Sequence, residues 1–118
     1  FNVGTRAAMG DSRIVEKLNF AKRSFTDQDL EALPLRDVTY PYNEVDFSQN
    51  KLSTESLHKV LKLCLLCRDL RVLKLYKNGI DDEGAHALAN FLRQCSTLEE
   101  VHLSHNQFTA EGVNALVE

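Results

Sequence analysis

The chain has 118 residues, of which 43% are hydrophobic and 26% are charged, with a formal net charge of −3. This length and composition predict one ordinary globular domain. No apolar run approaches the length of a membrane span, and residues 1–10 lack the apolar core of a signal peptide. The chain begins without Met, which suggests a fragment of a longer protein.

The first 41 residues carry only a weak pattern. Residues 1–13 show neither helical nor strand periodicity, and we expect them to form a tail or an N-terminal cap. In residues 14–41, Leu18 and Phe20 alternate with polar residues as in a short strand. Any helix that follows must be short, because Pro34 interrupts it.

The next three segments, 42–69, 70–97 and the incomplete 98–118, repeat one pattern every 28 residues, a spacing that we call the repeat interval. Each begins with two apolar residues separated by one polar residue, the period of a strand with one buried face, and an asparagine follows three positions later. The apolar pairs are Val45 and Phe47, Leu73 and Leu75, and Val101 and Leu103; the asparagines are Asn50, Asn78 and Asn106. Because a buried Asn side chain can bond backbone groups of its own turn and the next, we expect the asparagines to form a structural ladder.

Each segment then continues into a predicted helix. Ser53, Asp81 and Thr109 follow one another at the repeat interval, and all three residue types are good N-caps. A glutamate follows each cap by two residues, where the helix dipole favours negative charge. Apolar residues at helical spacing give each helix one stripe that only a neighbouring unit can bury. The predicted unit is therefore a strand, a turn and a helix, stacked side by side.

These residues resemble the leucine-rich repeat superfamily in its long, ribonuclease-inhibitor-like form. The family pattern L-x-x-L-x-L-x-x-N stands here as Leu70–Asn78, and Gly84 and Gly112 match a glycine of the long form. The resemblance covers residues 14–118, with 14–41 as a degenerate repeat. It implies an α/β solenoid, with short parallel strands on the concave face and helices on the convex face.

Three cysteines raise the question of a metal site or a disulfide. Cys64 and Cys67 form a C-x-x-C, but no second such pair and no suitably spaced histidine pair accompanies it. Cys64 falls on a core position of its helix, and Cys67 and Cys95 occupy equivalent positions in neighbouring repeats. We therefore expect reduced, buried thiols in an intracellular protein, cytoplasmic or nuclear. A Cys67–Cys95 disulfide and a metal site are the alternatives.

Catalysis is not expected. His102, Ser104 and Asp46 share one exposed strand face, but nothing in the sequence supplies an oxyanion hole. His58 and His86 occupy equivalent helix positions, which we place on or near the solvated outer face. No glycine-rich phosphate-binding loop of a known type is present in the sequence. The sequence therefore predicts neither an enzyme nor a bound cofactor.

The exposed strand positions are the strongest candidates for function. They vary between units while the core positions hold, and solenoids use such concave surfaces for extended recognition. Tyr76, flanked by Lys74 and Lys77, is the best candidate for an anchor. The predicted partner-binding residues are Glu44, Asp46, Val72, Lys74, Tyr76, Lys77, Glu100, His102, Ser104 and His105. We expect a protein–protein interaction module or scaffold; the family resemblance implies roles such as inhibition, scaffolding, GTPase regulation or ligand sensing.

The sequence suggests two other kinds of partner: RNA, from a basic segment, and a second copy of the chain, from the last repeat. Lys51–Lys77 contains seven Lys or Arg residues against two acidic ones, so an RNA-associated adaptor is the alternative function. The last repeat stops inside its helix without a polar capping segment. We therefore expect an exposed C-terminal end that could support end-to-end self-association.

Overall fold

The computed structural model describes residues 2–4, 16–22, 28–29 and 39–117, and the prediction that rests on Pro34 lies outside these ranges. The strands are β1 (Asn2–Gly4), β2 (Lys17–Asn19), β3 (Glu44–Asp46), β4 (Val72–Lys74) and β5 (Glu100–His102). Within residues 39–117 the helices are α1 (Thr54–Leu65), α2 (Asp82–Gln94) and α3 (Ala110–Val117). From β3 onward each three-residue strand is followed by one helix, so the chain alternates strand and helix.

The five strands form one sheet in the order β1-β5-β4-β3-β2. β2 to β5 are parallel, and β1 is antiparallel to β5. Glu44 pairs with Val72, and Val72 pairs with Glu100, so these strands are in register at the repeat interval. Lys17 pairs with Glu44, which makes the first offset one residue shorter. The predicted α/β architecture of short parallel strands alternating with helices is confirmed.

One side of the sheet is buried against the helices. Val45, Leu73 and Val101, the central residues of β3, β4 and β5, are fully buried. Leu57 of α1 and Leu88 of α2 belong to the same apolar core. Because side chains alternate along a strand, the polar residues on either side of each buried one lie on the opposite face of the sheet.

The turn after each strand is held by the asparagine side chains. The backbone amide of Asn50 donates to Oδ1 of Asn78, and the backbone amide of Asn78 donates to Oδ1 of Asn106, each at 2.9 Å. The side-chain amide of Asn78 also donates to the carbonyls of Phe47 and Leu75, both at 3.0 Å. Each asparagine side chain therefore bonds backbone groups of its own turn and of the preceding turn, and it links one repeat to the next.

Side chains also link the starts of successive helices. Ser53 caps α1 by accepting a hydrogen bond from the amide of Ser56 at 3.4 Å. Asp81 caps α2 by accepting from the amide of Gly84 at 3.1 Å. The hydroxyl of Thr54 donates to the same Asp81 oxygen at 3.0 Å. The cap of one helix therefore also fixes the first residue of the helix before it.

A similar contact joins α2 to α3. The amide of Thr109 donates to Oδ1 of Asp82 at 2.7 Å, and the Thr109 hydroxyl bonds the other carboxylate oxygen. The hydroxyl is the main reason that the pKa of Asp82 is lowered, and the Thr109 amide adds to the effect. Both bonds favour the ionised carboxylate, so at neutral pH Asp82 acts as an acceptor at the start of the next helix.

β1 lies at the edge of the sheet opposite β2, where Val3 pairs with Val101 of β5. A strand of a following repeat would pair with this same edge if the stack continued. The sequence predicted an uncovered C-terminal end, and for the sheet edge this is corrected, because β1 covers it over three residues. On α3, by contrast, Val117 is exposed.

Candidate functional site

The predicted partner-binding residues lie on one surface. Eight of them form what we call the open face: Glu44, Asp46, Val72, Lys74, Tyr76, Glu100, His102 and Ser104, which alternate with the buried strand residues. The strand register aligns Glu44, Val72 and Glu100 in one row across the sheet, and Asp46, Lys74 and His102 in the next. The other two, Lys77 and His105, follow in the turns at the carboxyl ends of β4 and β5.

Glu44 contacts two lysine side chains on the open face. Its Oε2 atom lies 3.4 Å from Nζ of Lys74 and 3.8 Å from Nζ of Lys17. The Glu44 side chain is only 14% exposed, whereas those of Lys74 and Lys17 are 32% and 60% exposed. The Glu44 carboxylate is therefore shared by two lysines that approach it from the neighbouring strands.

The other charged groups of the open face also have local partners. His102 Nε2 lies 3.4 Å from Oε2 of Glu100, two residues earlier on the same strand. Oδ1 of Asp46 accepts a hydrogen bond from the amide of Ser48 at 2.9 Å. The contacts of His102 and Asp46, which the sequence placed on one exposed strand face with Ser104, are therefore made within their own repeats. These contacts orient polar side chains toward the surface.

Tyr76 makes one contact through its backbone and one through its ring. Its amide donates to Oγ of Ser48 at 3.1 Å. Its ring meets the imidazole of His105 edge-on, with centroids 6.2 Å apart and planes at 78°. Tyr76 is half-buried, and an aromatic ring in this setting offers apolar contact area at a low entropic cost. The sequence predicted the residue but not its contact with His105.

Sequence reasoning missed a polar row at the amino ends of the strands. Nη1 of Arg71 lies 2.8 Å from Oε1 of Glu99, and Nε of Arg71 lies 3.3 Å from Oδ2 of Asp69. Asn43 Nδ2 donates to the Asp69 carbonyl at 3.0 Å. Glu99 is only 8% exposed, so this row positions the strands rather than meeting solvent. The available signal was that Arg71 and Glu99 carry opposite charges and are separated by the repeat interval.

A groove opens at the carboxyl ends of the strands. Its volume is about 450 Å³. We call it the rim groove, and its exposed or half-buried lining residues are Gln49, Lys51, Lys77, Gly79, His105 and Gln107. The sequence predicted Lys77 and His105 as binding residues, and Lys51 only as the first residue of the basic segment of the alternative function; it missed Gln107. The sequence pattern that could have predicted the groove is again the repeat, since the lining comes from the residues directly before and after each ladder asparagine.

The cysteines lie away from the open face and are free thiols. Cys64 and Cys67 are buried, and Cys95 is partly exposed. Burial raises the pKa of Cys67 to about 11, and it raises the pKa of Cys64 well above its usual value. Among the described residues, no group of three or more His, Cys, Asp or Glu side chains could hold a metal ion.

The basic residues of Lys51–Lys77 are spread over several parts of the fold. Lys59 and Lys62 lie on α1, and Arg68 lies in the turn that follows it. Lys74 is paired with Glu44 on the open face. The segment therefore does not present its charges as one patch, as a nucleic-acid interface would.

The described helices are too short and too polar to cross a lipid bilayer.

A sequence profile described as "Leucine Rich repeat" matches residues 66–89 and 94–117, two stretches that start one repeat interval apart. The chain is also similar to human Protein NLRC5, with 40% identity over 55 residues. This alignment covers 47% of the chain and about 3% of the length of NLRC5. Leucine-rich repeats generally mediate protein–protein interactions. From this profile and their parallel β-α units, the two matched stretches are leucine-rich repeats.

Proposed function

We propose that this chain is a protein–protein interaction module that binds its partner through the open face, the concave face of a ribonuclease-inhibitor-like solenoid. The observation that carries the proposal is that the two faces of the sheet differ: one packs in the core and the other is left open. The core uses Val45, Leu73 and Val101, whereas the intervening side chains differ from repeat to repeat and are not needed for packing. A surface of this kind presents ordered, varied groups on a rigid scaffold, which suits extended recognition of another protein.

The chemistry of the open face supports a protein partner. It combines a half-buried tyrosine at position 76, a partly buried ion pair at Glu44 and Lys74, and an exposed carboxylate at Glu100. Aromatic anchors surrounded by polar groups are typical of protein interfaces. The proposal includes an intracellular setting, which the buried free thiol of Cys64 supports.

The test is affinity capture from a native lysate with a face variant, Asp46→Asn/Lys74→Ala/Tyr76→Ala. Asparagine at position 46 keeps the hydrogen-bond acceptor for Ser48 while removing the charge. Removing an aromatic anchor and two charges from an interface costs at least about 1 kcal/mol for each critical residue, so we expect the recovered partner to fall at least about tenfold.

A matched control variant is His58→Ala/Lys62→Ala/Glu83→Ala, which removes a ring, a base and an acid from the exposed surfaces of α1 and α2. It should recover the partner as the unmodified chain does. Equal recovery by the face variant and the unmodified chain would refute binding through the open face. A partner lost from every sample after nuclease treatment would instead favour the RNA-associated function.

A further inference from the structure

The basic residues of the rim groove differ from those of the open face in their lack of acidic partners. Lys74 is paired with Glu44 and Arg71 with Glu99. Lys51 and Lys77 are exposed, and neither forms a salt bridge with any residue in the described ranges. No acidic side chain is among the described residues that line the groove. The groove therefore carries positive charge that the described part of the fold does not neutralise.

The backbone at the rim adopts a conformation that favours glycine, yet side chains are present. The residue before each turn asparagine has a positive φ: 59° at Gln49, 57° at Lys77 and 62° at His105, and Lys22 in the first repeat has 57°. This left-handed conformation costs roughly 1–2 kcal/mol for a residue with a Cβ atom, and glycine adopts it freely. The backbone amide of Lys77 donates to the Ser104 carbonyl at 2.9 Å, so a backbone bond to the next repeat supports this conformation. Polar side chains therefore occupy positions where the backbone conformation by itself favours glycine.

The spacing of the groove fits an extended chain. Equivalent positions on neighbouring parallel strands are about 4.8 Å apart, so the three rim positions of the groove, Gln49, Lys77 and His105, span about 10 Å. An extended peptide advances about 3.3 Å per residue, so about four residues cover this length. The amide side chains of Gln49 and Gln107 flank the basic groups and can donate hydrogen bonds to carboxylates.

We propose that the rim groove binds a short, extended acidic segment of a partner protein, with Lys51 and Lys77 pairing with its carboxylates. The inference rests on the proposed function, because it names the chemistry of one part of the partner that the open face binds. A carboxylate-rich segment matches the charge and the hydrogen-bond donors of the groove. The exposed lysines also favour fast, salt-sensitive association.

The experiment measures binding of a fluorescent, end-capped penta-aspartate peptide to the chain by fluorescence polarisation at low ionic strength. The variant is Lys51→Ala/Lys77→Gly. Glycine at position 77 removes the side chain and suits the φ of 57°, and thermal unfolding checks that the variant remains folded. The control Lys59→Ala/Lys62→Ala removes the same charge from α1.

We expect saturable peptide binding that the rim variant weakens about fivefold and that the control leaves within about twofold, since each exposed charge pair contributes modestly. Added salt should weaken binding further. Absence of saturable binding, or equal weakening by both variants, would overturn the proposal. A single-stranded RNA that displaces the peptide and needs the same lysines would assign the groove to nucleic acid instead. Because the probe is synthetic, its failure to bind leaves the capture test of the open face unaffected.

Discussion

Replacing Asn78 with leucine should lower the free energy of unfolding by about 3 kcal/mol. The side chain is 4% exposed and makes three hydrogen bonds to backbone groups. Its loss leaves the amide of Asn50 without its acceptor, which costs about 1–3 kcal/mol, and removes two donated bonds of about 1 kcal/mol each. The carbonyls of Phe47 and Leu75 each keep one donor, from Asn50 and Asn106 respectively, which limits the loss.

The measurement for Asn78→Leu is chemical denaturation beside Lys77→Gly, one residue away. Lys77 is exposed and lies outside the ladder, and glycine suits its backbone conformation, so that variant should change stability by less than about 1 kcal/mol. If the two variants unfold at the same denaturant concentration, the ladder does not hold the repeats together.

Replacing Gly84 with alanine should destabilise the fold by about 2 kcal/mol, although alanine is the better helix former. An added Cβ would overlap Cγ2 of Ile80 and lie 3.2 Å from Cδ2 of Leu57. Both neighbours are fully buried, so neither can move into solvent. Overpacking costs about 1–3 kcal/mol or more, which outweighs the gain of about 1 kcal/mol in helix propensity.

Gly112→Ala supplies the comparison for Gly84→Ala, because it makes the same change one repeat later. Its Cβ would meet Oδ1 of Asp82, the end of a partly exposed side chain that can rotate away at the loss of its exposed hydrogen bonds to Thr109. We therefore expect a smaller loss of stability in a denaturation series. Stabilisation by Gly84→Ala would contradict the close packing of α2 on Ile80.

The regular part of the fold could be predicted because each repeat carries the same physical constraints. The apolar pair that includes Leu73 marks the buried strand face, and Asp81 marks the start of α2 by its capping ability. The repeat interval then aligned equivalent positions, and Glu44, Val72 and Glu100 are indeed neighbours across the sheet. Repetition turns a local pattern into a prediction about contacts between distant residues.

Other features depend on geometry that no local pattern contains. The pairing of β1 with β5 joins the two ends of the described chain, and residues 1–13 have no periodicity that would indicate a partner strand. The positive φ at Lys77 and His105 could not be predicted, because neither residue type favours that conformation strongly enough to mark it. The rim groove was consequently missed as a unit, although two of its residues were predicted separately.

The most direct test of binding through the open face uses the histidines of this chain as reporters. His102 lies on the open face and His105 on its rim, whereas His58 and His86 are exposed on α1 and α2. Each is labelled with diethyl pyrocarbonate in the free chain and in the complex with the captured partner, and the labelling is quantified by mass spectrometry. We predict that the partner slows modification of His102 and His105 and leaves His58 and His86 unchanged. Protection of His58 and His86 alone would place the partner on the helices and contradict the proposed function.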